Sequence, residues 1–355
     1  MKLLIITQKV DKKDSALGFF YEWIETFSKS CESVEVIALH VGDIDLPENV
    51  SVHNLKMKNR KSILARYIEK IRVIFSFYKT TFSLRSRYDA VFVHMNPIYI
   101  VLYGIFWKLQ RKIISLWYVH KAVDLKLRVA TLLTDIVFTS SKESFQIETD
   151  KTRFLNHGIN TNLFKCRSDV NITQDSIKIV HIGRITEIKD LKTLIKCVAL
   201  LSDRGKNVEL SLIGEPIYKK DFEYLQELKY LIHSLNIEDR CHFIGGVPHE
   251  RLIDYICDSN IMVNLTPTGG MDKVVIESMS CGIPVITSNE AFREVFGHWS
   301  QSLVFRFSDA DDLKEKILNL KNIDINELRN DLIDIAEKRF SLKSLIDNIC
   351  SKLKS

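Results

Sequence analysis

The chain has 355 residues, of which 46% are hydrophobic and 27% are charged, and its formal net charge is +5 at pH 7. This length favours two domains, and the composition is that of a folded globular protein, which excludes long disordered regions. A net charge this small gives no support to a nucleic-acid-binding protein.

In chain order, the N-terminal run MKLLIITQKV is too short for a signal peptide and lacks a cleavage pattern, so it predicts a first buried strand. Short apolar runs recur through the first half, with helical patterns between them, which predicts alternating strands and helices around a parallel sheet. We assign residues 1–166 to this N-terminal doubly wound domain. Its predicted strands are Leu3–Thr7, Val34–Leu39, Ala90–His94, Ile113–Tyr118 and Ile136–Ser140.

Residues 56–87 carry ten Lys or Arg against a single acid, Glu69. Within them an apolar stripe follows helical spacing, and a basic helix with such a stripe is typical of proteins that bind anionic lipid. We expect a peripheral contact with the inner face of a membrane; the alternative is that the stripe packs on the sheet and the charges are solvated. Nucleic acid is not expected, because no recognised module accompanies the charge. The stripe consists of Leu64, Tyr67, Ile68, Ile71, Ile74, Phe75 and Tyr78.

The strand and helix alternation starts again after a polar stretch, 167–176, which we predict to be a linker. Residues 177–338 form a second doubly wound domain, and a helix in 339–355 is expected to cross back onto the first domain. The strands predicted in the second domain are Ile177–Ile182, Val208–Ile213, His242–Ile244, Ile261–Leu265 and Val285–Thr287.

The seven cysteines show no zinc-like spacing and mostly lie in apolar surroundings, so we expect unpaired core residues in a reducing cytoplasm. The longest apolar run, of about eleven residues, is well short of the roughly twenty that span a bilayer. No metal is expected either, since the Asp43 and Asp45 pair lies in a turn-like loop, GDIDLPEN.

The second domain opens with IVHIGRITEIKDLKTLI, in which Arg184 and Lys189 stand between a strand end and a helix start. A forked guanidinium and a point-charge ammonium placed there suit a diphosphate, although either residue alone is more commonly a plain surface charge. Further along, Gly214 in LIGEP lets a ligand approach the backbone closely, or forms a tight turn.

The stretch NLTPTGGMDKVVIESMSCGIPVITS predicts a strand end, a Gly-Gly turn, a helix and another buried strand. The exposed N–H groups at such a helix start, at the carboxyl edge of a parallel sheet, bind anions. Lys273 and Glu277 share one face of this helix, a placement that predicts a phosphate contact for Lys273 and hydrogen bonds from a ribose to Glu277. The alternative is an exposed i,i+4 ion pair.

Together, IGRITEIKD, LIGEP, FIGGVPHERLIDY and DKVVIESMSCGIPVITS resemble the nucleotide-sugar half of the retaining glycosyltransferases of family 4, within the glycosyl transferases group 1. TDIVFTSSKES and NHGINTNLF are similar to the end of that family's acceptor domain. The resemblance implies two Rossmann-like domains facing across a cleft, the architecture called GT-B.

The resemblance also implies roles for individual residues. The diphosphate would be bound by Gly18, Arg184, Lys189 and Lys273, and the ribose and base by Gly214, Glu215, Val247 and Glu277. His120, Arg184 and Lys189 would serve catalysis, with His120 hydrogen-bonding a sugar hydroxyl through an uncharged imidazole. The donor sugar would contact Gly269, Gly270, Met271 and Asp272.

One position departs from the family pattern, which places two glutamates with seven residues between them. The first of these falls on Gly269 here. We expect its role to pass to Asp272 or to backbone N–H groups of residues 269–272.

The resemblance implies a metal-independent, retaining glycosyltransferase without a cofactor. It would move a sugar from a nucleotide-diphosphate donor, UDP favoured, to a glycan or lipid-linked acceptor in polysaccharide synthesis. The alternatives are a nucleotide-sugar epimerase, a phosphorylase, or a non-catalytic subunit that binds a nucleotide sugar.

Overall fold

The computed structural model describes residues 1–14, 17–58, 60, 62–120, 122–140, 144–166, 176–267 and 271–354. The chain divides into two compact units, Met1–Gly158 with Leu342–Ser355, and Ile159–Ser341. The predicted linker, 167–176, lies outside the described residues except for its last residue, Ser176, which begins a strand.

The first unit is a seven-stranded parallel sheet with the order β3-β2-β1-β4-β5-β6-β7. In its register, Leu3 pairs with Val34 on one side and Ala90 on the other. Its strands are β1 (Lys2–Val10), β2 (Ser33–Val41), β3 (Val50–Asn54), β4 (Ala90–His94), β5 (Ile113–Trp117), β6 (Ile136–Thr139) and β7 (Thr152–Phe154). Its first four helices are α1 (Gly18–Ser30), α2 (Ile63–Ser83), α3 (Ile98–Leu109) and α4 (Leu125–Leu133).

The second unit is a five-stranded parallel sheet with the order β10-β9-β8-β11-β12. Its strands are β8 (Ser176–Ile182), β9 (Asn207–Ile213), β10 (Cys241–Gly245), β11 (Ile261–Asn264) and β12 (Val285–Thr287). Its helices are α5 (Leu191–Asp203), α6 (Lys219–Ser234), α7 (Leu252–Cys257), α8 (Lys273–Ser280), α9 (Arg293–Phe296), α10 (Ser300–Leu303), α11 (Ala310–Asn319) and α12 (Ile325–Phe340).

The last helix, α13 (Leu342–Lys354), belongs to the first unit. Its buried side chains, among them Ile346 and Ile349, share one hydrophobic cluster with α1. Residues 159–166, which the sequence analysis gave to the first domain, group instead with the second unit, because Phe164 is buried in that unit's core.

Strand β1 shows why the sheet forms at the centre of the first unit. Residues 3–6 are fully buried, and their side chains alternate between two cores as the strand period of two requires. Leu3 and Ile5 pack with α1 and α13, while Leu4 and Ile6 pack with residues of α2, α3 and α4.

Helix α2 turns a different face to the sheet from the one the apolar stripe suggested. The residues it buries are Glu69, Val73, Phe77 and Thr81, whereas most of the stripe is exposed. The alternative in which the stripe packs on the sheet is therefore wrong. Among the described residues, none of the helices combines the length and apolarity needed to cross a membrane.

Candidate functional site

The turns after β8, β9 and β10 are tied to one another at the carboxyl edge of the second sheet. Gly183 N–H donates to the Ile213 carbonyl at 2.9 Å, and Gly214 N–H donates to the Gly245 carbonyl at 2.9 Å. Gly214 has φ +135°, and a Cβ there would lie 2.0 Å from the Gly183 carbonyl oxygen. Glycine is thus required at 214 because two backbone segments approach each other.

Arg184 follows β8 and lies partly buried at this edge. Its guanidinium carbon is 5.5 Å from the centre of the Tyr218 ring, within the range of a cation–π contact. The pKa of Asp221 is held below its ordinary value by hydrogen bonds from the Tyr218 N–H, the Thr186 hydroxyl and the Ile217 N–H, and by the charge of Arg184. Tyr218 thus packs on Arg184, and the positive charge of Arg184 helps to stabilise the Asp221 carboxylate.

Lys189 ends a short 3-10 turn, Glu187–Lys189, that leads into α5. Its ammonium donates to the Thr266 hydroxyl at 2.6 Å and to Oδ2 of Asp272 at 2.7 Å. An ammonium has three N–H donors, so these two contacts leave one for a further acceptor.

Asp272 stands at the N-cap of α8, yet its side chain makes no capping hydrogen bond to that helix. Oδ2 instead accepts from Lys189, from Asn264 Nδ2 at 2.7 Å and from the Thr266 hydroxyl. Burial by itself raises the pKa of Asp272, but Lys189 and the hydrogen bonds from Thr266 and Asn264 outweigh it and keep that pKa below its ordinary value. The first N–H groups of α8 therefore lack a carboxylate cap from Asp272, a condition under which helix starts bind anions.

His181 lies beneath this edge and is completely buried. Its Nδ1 is 2.9 Å from the Val263 carbonyl oxygen, so Nδ1 carries the proton and Nε2 is an acceptor. Burial, followed by the charge of Lys189, lowers the pKa of His181 to about 4. The imidazole is consequently neutral at pH 7.

Glu277 is buried in α8, with 2% of its surface exposed. Its Oε1 is 2.8 Å from His249 Nε2, whereas Oε2 is buried and has no hydrogen-bond partner among the described residues. The alternative of an exposed ion pair on a solvated helix is therefore wrong for this residue. Lys273, one turn earlier, is partly buried.

His249 is a residue of this site that the sequence analysis did not single out. It starts a 3-10 turn, His249–Arg251, four residues beyond the end of β10, and its ring meets that of Phe164 edge to face at 5.3 Å. Its place in the loop after β10 was a usable signal, because loops that follow parallel strands share one edge of the sheet.

The remaining predicted site residues of the second unit are Glu215, Val247, Met271, Gly269 and Gly270. Glu215 Oε1 accepts from the Gly246 N–H at 3.1 Å, so this carboxylate holds two neighbouring loops together. Val247 and Met271 are half-buried and pack against the core. Gly269 and Gly270 lie outside the described residues.

The candidates of the first unit lie at the carboxyl edge of its own sheet. Gly18 begins α1 and is buried, and its N–H donates to the Asp14 carbonyl at 2.9 Å. His120 follows β5 and is exposed, and its Nδ1 accepts from the Ala122 N–H at 3.1 Å. The neutral form of this imidazole accordingly carries its proton on Nε2.

Three cysteines of the second unit converge. Cys166 and Cys257 form a disulfide, and the sulfur of Cys281 lies within 4.8 Å of both. The expectation that all cysteines are unpaired is therefore wrong for two of them. In the part of the chain that the structure describes, this is the one group of three His, Cys, Asp or Glu side chains close enough to share a metal ion.

Solved structures and curated proteins resemble this chain to different extents. The structure of Anabaena HepE in complex with UDP and glucose superposes with a TM-score of 0.75 over 100% of both chains at 18% identity, which shows the fold. The phosphatidylinositol N-acetylglucosaminyltransferase GPI3 subunit of Saccharomyces cerevisiae is 23% identical over 176 residues, 49% of this chain and 36% of the yeast protein. The capsular polysaccharide biosynthesis glycosyltransferase CapM of Staphylococcus aureus is 24% identical over 179 residues, 48% of this chain and 40% of that protein.

The matches thus span well under half the length of these two curated relatives. The prediction of two parallel-sheet α/β domains of the GT-B type is confirmed. The family model of the glycosyl transferases group 1 matches residues 165–339, nearly the whole second unit. The second unit therefore carries a glycosyl transferases group 1 domain.

Proposed function

We propose that the protein is a retaining glycosyltransferase that takes a sugar from a nucleoside diphosphate sugar, UDP favoured, and transfers it to an acceptor hydroxyl. One observation carries the proposal. Arg184, Lys189 and the start of α8, which the Asp272 side chain does not cap, lie at the carboxyl edge of one sheet, and the buried Glu277 follows on the same helix.

The cations fit a departing diphosphate. Lys189 already neutralises Asp272, but its remaining N–H is available to a phosphate oxygen, and Arg184 offers a forked donor. Negative charge develops on the leaving group during glycosyl transfer, so donors fixed in advance stabilise the transition state more than the bound substrate. Lys273, in the first turn of α8, adds charge beside the same helix start.

In this account cations and a helix terminus take the place of a divalent metal ion, and no cofactor takes part. The departing phosphate itself accepts the proton of the acceptor hydroxyl on the face from which it leaves, which retains the configuration at the anomeric carbon. His120, in the first unit, hydrogen-bonds a hydroxyl of the transferred sugar through Nε2–H.

The relatives support the choice of substrates. UDP and glucose are bound in the HepE structure, and the names of the yeast and Staphylococcus relatives refer to a phosphatidylinositol acceptor and a capsular polysaccharide. We therefore propose a UDP-sugar donor and a lipid-linked or polysaccharide acceptor.

We also propose that α2 holds the protein at an anionic membrane surface, at the inner face in a cell. Five residues of the stripe and the adjacent Ile63 are 54 to 72% exposed; the five are at positions 64, 67, 68, 71 and 75. Arg66, Lys70 and Lys79 are exposed on the same helix. Apolar side chains flanked by cations are the composition that inserts into an interface of anionic lipid.

A screen of donors tests the proposed activity. Thermal unfolding is measured with UDP-, GDP- and ADP-sugars, since a ligand that binds only the folded state raises the unfolding temperature by mass action. The stabilising donor is then incubated with acceptor extracts, with and without EDTA. We expect stabilisation by a UDP-sugar, and transfer or slow hydrolysis that EDTA does not reduce.

Other outcomes contradict the proposal. Epimerisation of the donor without an acceptor identifies an epimerase, and phosphate-dependent cleavage of a glycan identifies a phosphorylase. Donor binding with neither transfer nor hydrolysis identifies a non-catalytic subunit.

A further inference from the structure

The two oxygens of the Glu277 carboxylate have different surroundings. Oε1 lies 2.8 Å from His249 Nε2, and the two side chains are only 3% and 15% exposed. Oε2 is buried with no hydrogen-bond partner among the described residues. A buried carboxylate oxygen left without a donor is unfavourable, so its presence points to a ligand that supplies one.

His249 is itself fixed from two sides. Its ring meets the Phe164 ring edge to face at 5.3 Å, and the backbone carbonyl of Phe164 accepts a hydrogen bond of 2.8 Å from Ser280 Oγ at the end of α8. The segment before Cys166 thus contacts both His249 and the helix that carries Glu277. The histidine is therefore held against α8 by packing as well as by its hydrogen bond.

We propose that His249 is a positioning residue for ribose recognition: its Nε2–H fixes the Glu277 carboxylate so that Oε2 accepts a hydrogen bond from a ribose hydroxyl. The terminal torsion of a glutamate is broad, so a carboxylate without such a donor samples many orientations. Fixing it before the ligand arrives removes an ordering cost from binding. The inference rests on the proposed function, since it requires a ribonucleotide donor.

Two variants separate the hydrogen bond from the packing. His249→Phe keeps an aromatic ring against Phe164 and removes the donor, whereas His249→Gln places an amide N–H near the position of Nε2. The probes are UDP and 2′,3′-dideoxyuridine 5′-diphosphate, which differ only in the ribose hydroxyls. Dissociation constants are measured by calorimetry, and the unfolding temperature of each variant checks its fold.

We expect the wild type to bind UDP on the order of 10-fold or more tightly than the dideoxy nucleotide, as a hydrogen bond to a charged group allows. His249→Phe should bind both nucleotides equally and with the affinity that the wild type has for the dideoxy form. His249→Gln should recover most of the difference. A purely structural role would weaken binding of both nucleotides alike and leave their ratio unchanged.

Three results overturn the inference: a preference for UDP that survives in His249→Phe, a folded His249→Gln that shows no preference, or a wild type that binds both nucleotides equally. Failure of the proposed function gives a different result, because the wild type then binds neither nucleotide. That result would contradict both the proposed function and this inference.

Discussion

Single side chains at the second sheet's edge are organised by hydrogen bonds that cross the sequence. Lys189 reaches Thr266 and Asp272 over separations of 77 and 83 residues, and Asn264 donates to Asp272 while accepting from Thr287 at 2.9 Å. The carboxylate and the ammonium neutralise each other where burial makes an isolated charge unfavourable. Lys189 is thereby held in a fixed position.

The neutral, buried His181 predicts a pH dependence of stability. Its pKa is about 4 in the folded chain and near its ordinary value of 6.5 when unfolded. Between these values the unfolded chain binds the extra proton, so the free energy of unfolding falls as pH drops from about 6.5 to 4, by up to about 1.4 kcal/mol per pH unit. Above 6.5 and below 4 this residue contributes no slope.

His181→Asn keeps a donor near the position of Nδ1 and removes the titration. Urea unfolding of both proteins at several pH values checks the prediction, since the other groups cancel in the difference. The variant should lose less stability than the wild type between pH 6.5 and 4. Parallel pH curves for the two proteins would contradict it.

Much of the site could be anticipated from the sequence, because its residues stand next to strand ends. Arg184 and Lys189 follow the end of β8, and Glu277 is set by helical spacing from Lys273. The pairing of His249 with Glu277 could not be predicted, because the loop after β10 and helix α8 are far apart in the sequence and meet only in the folded unit. For the same reason, the sequence does not show that Asp272 accepts a hydrogen bond from Lys189 instead of capping its own helix, α8.

Among the secondary-structure elements, the degree of burial determines which strands can be predicted from the sequence. The central strands appear as continuous apolar runs because both of their faces are covered. Strands β3 and β7 were not predicted; they lie at the edges of the first sheet, and most of their residues are exposed or half-buried. Their polar residues, as in VSVHN, give no apolar run to detect.

Helix α2 shows how charge can mislead at this scale. Arg72 is held by the protein itself: it donates to the buried Glu69 at 2.6 Å and to the carbonyls of Leu55 and Lys56. The Arg72 hydrogen bonds, followed by the N–H of Lys58, lower the pKa of Glu69 to about 2. This pair anchors the helix, so Arg72 is not counted among the cations proposed to meet anionic lipid.

The exposed stripe of α2 leads to a membrane-binding prediction. Wild-type protein should co-sediment with vesicles that contain phosphatidylglycerol, and less so as salt rises, because screening weakens attraction between exposed charges. Ile71→Glu combined with Phe75→Glu should reduce this binding by at least about 10-fold, since each apolar side chain contributes about 1.5–3 kcal/mol when buried.

Tyr230→Glu is the matched control, because Tyr230 is 75% exposed on α6 in the second unit. It should bind vesicles as the wild type does. Equal binding of the wild type to purely neutral vesicles, or no binding to either kind, would count against a membrane role for α2.

For the whole molecule, the order of the chain does not match the order of the units. The last helix, α13, completes the first unit, with Leu345, Ile346 and Ile349 among its buried residues. Ser30 and Asp347 are joined by a hydrogen bond of 2.9 Å across this contact. The amphipathic pattern shows that such a helix needs a partner, but the pattern alone does not choose one.

Truncation of one α13 side chain should therefore weaken the first unit selectively. Ile349→Ala should lower the free energy of unfolding of that unit by about 2–5 kcal/mol, the range for deleting a buried isoleucine side chain. Hydrogen exchange should become faster in β1 and change little in β8. Ser351→Asp, exposed on the same helix, is the control, and unchanged exchange in β1 of Ile349→Ala would refute the assignment.

The central claim, that Arg184 and Lys189 bind the donor diphosphate, is tested most directly by titrating UDP into the wild type, Arg184→Ala and Lys189→Ala. Lys192→Ala is the control, because Lys192 lies on α5 three residues after Lys189 and pairs with Glu227 at 2.7 Å. Loss of a charged hydrogen bond predicts affinities for UDP on the order of 10- to 100-fold weaker in the first two variants, and wild-type affinity in the control. Wild-type affinity for UDP in both Arg184→Ala and Lys189→Ala would contradict the account.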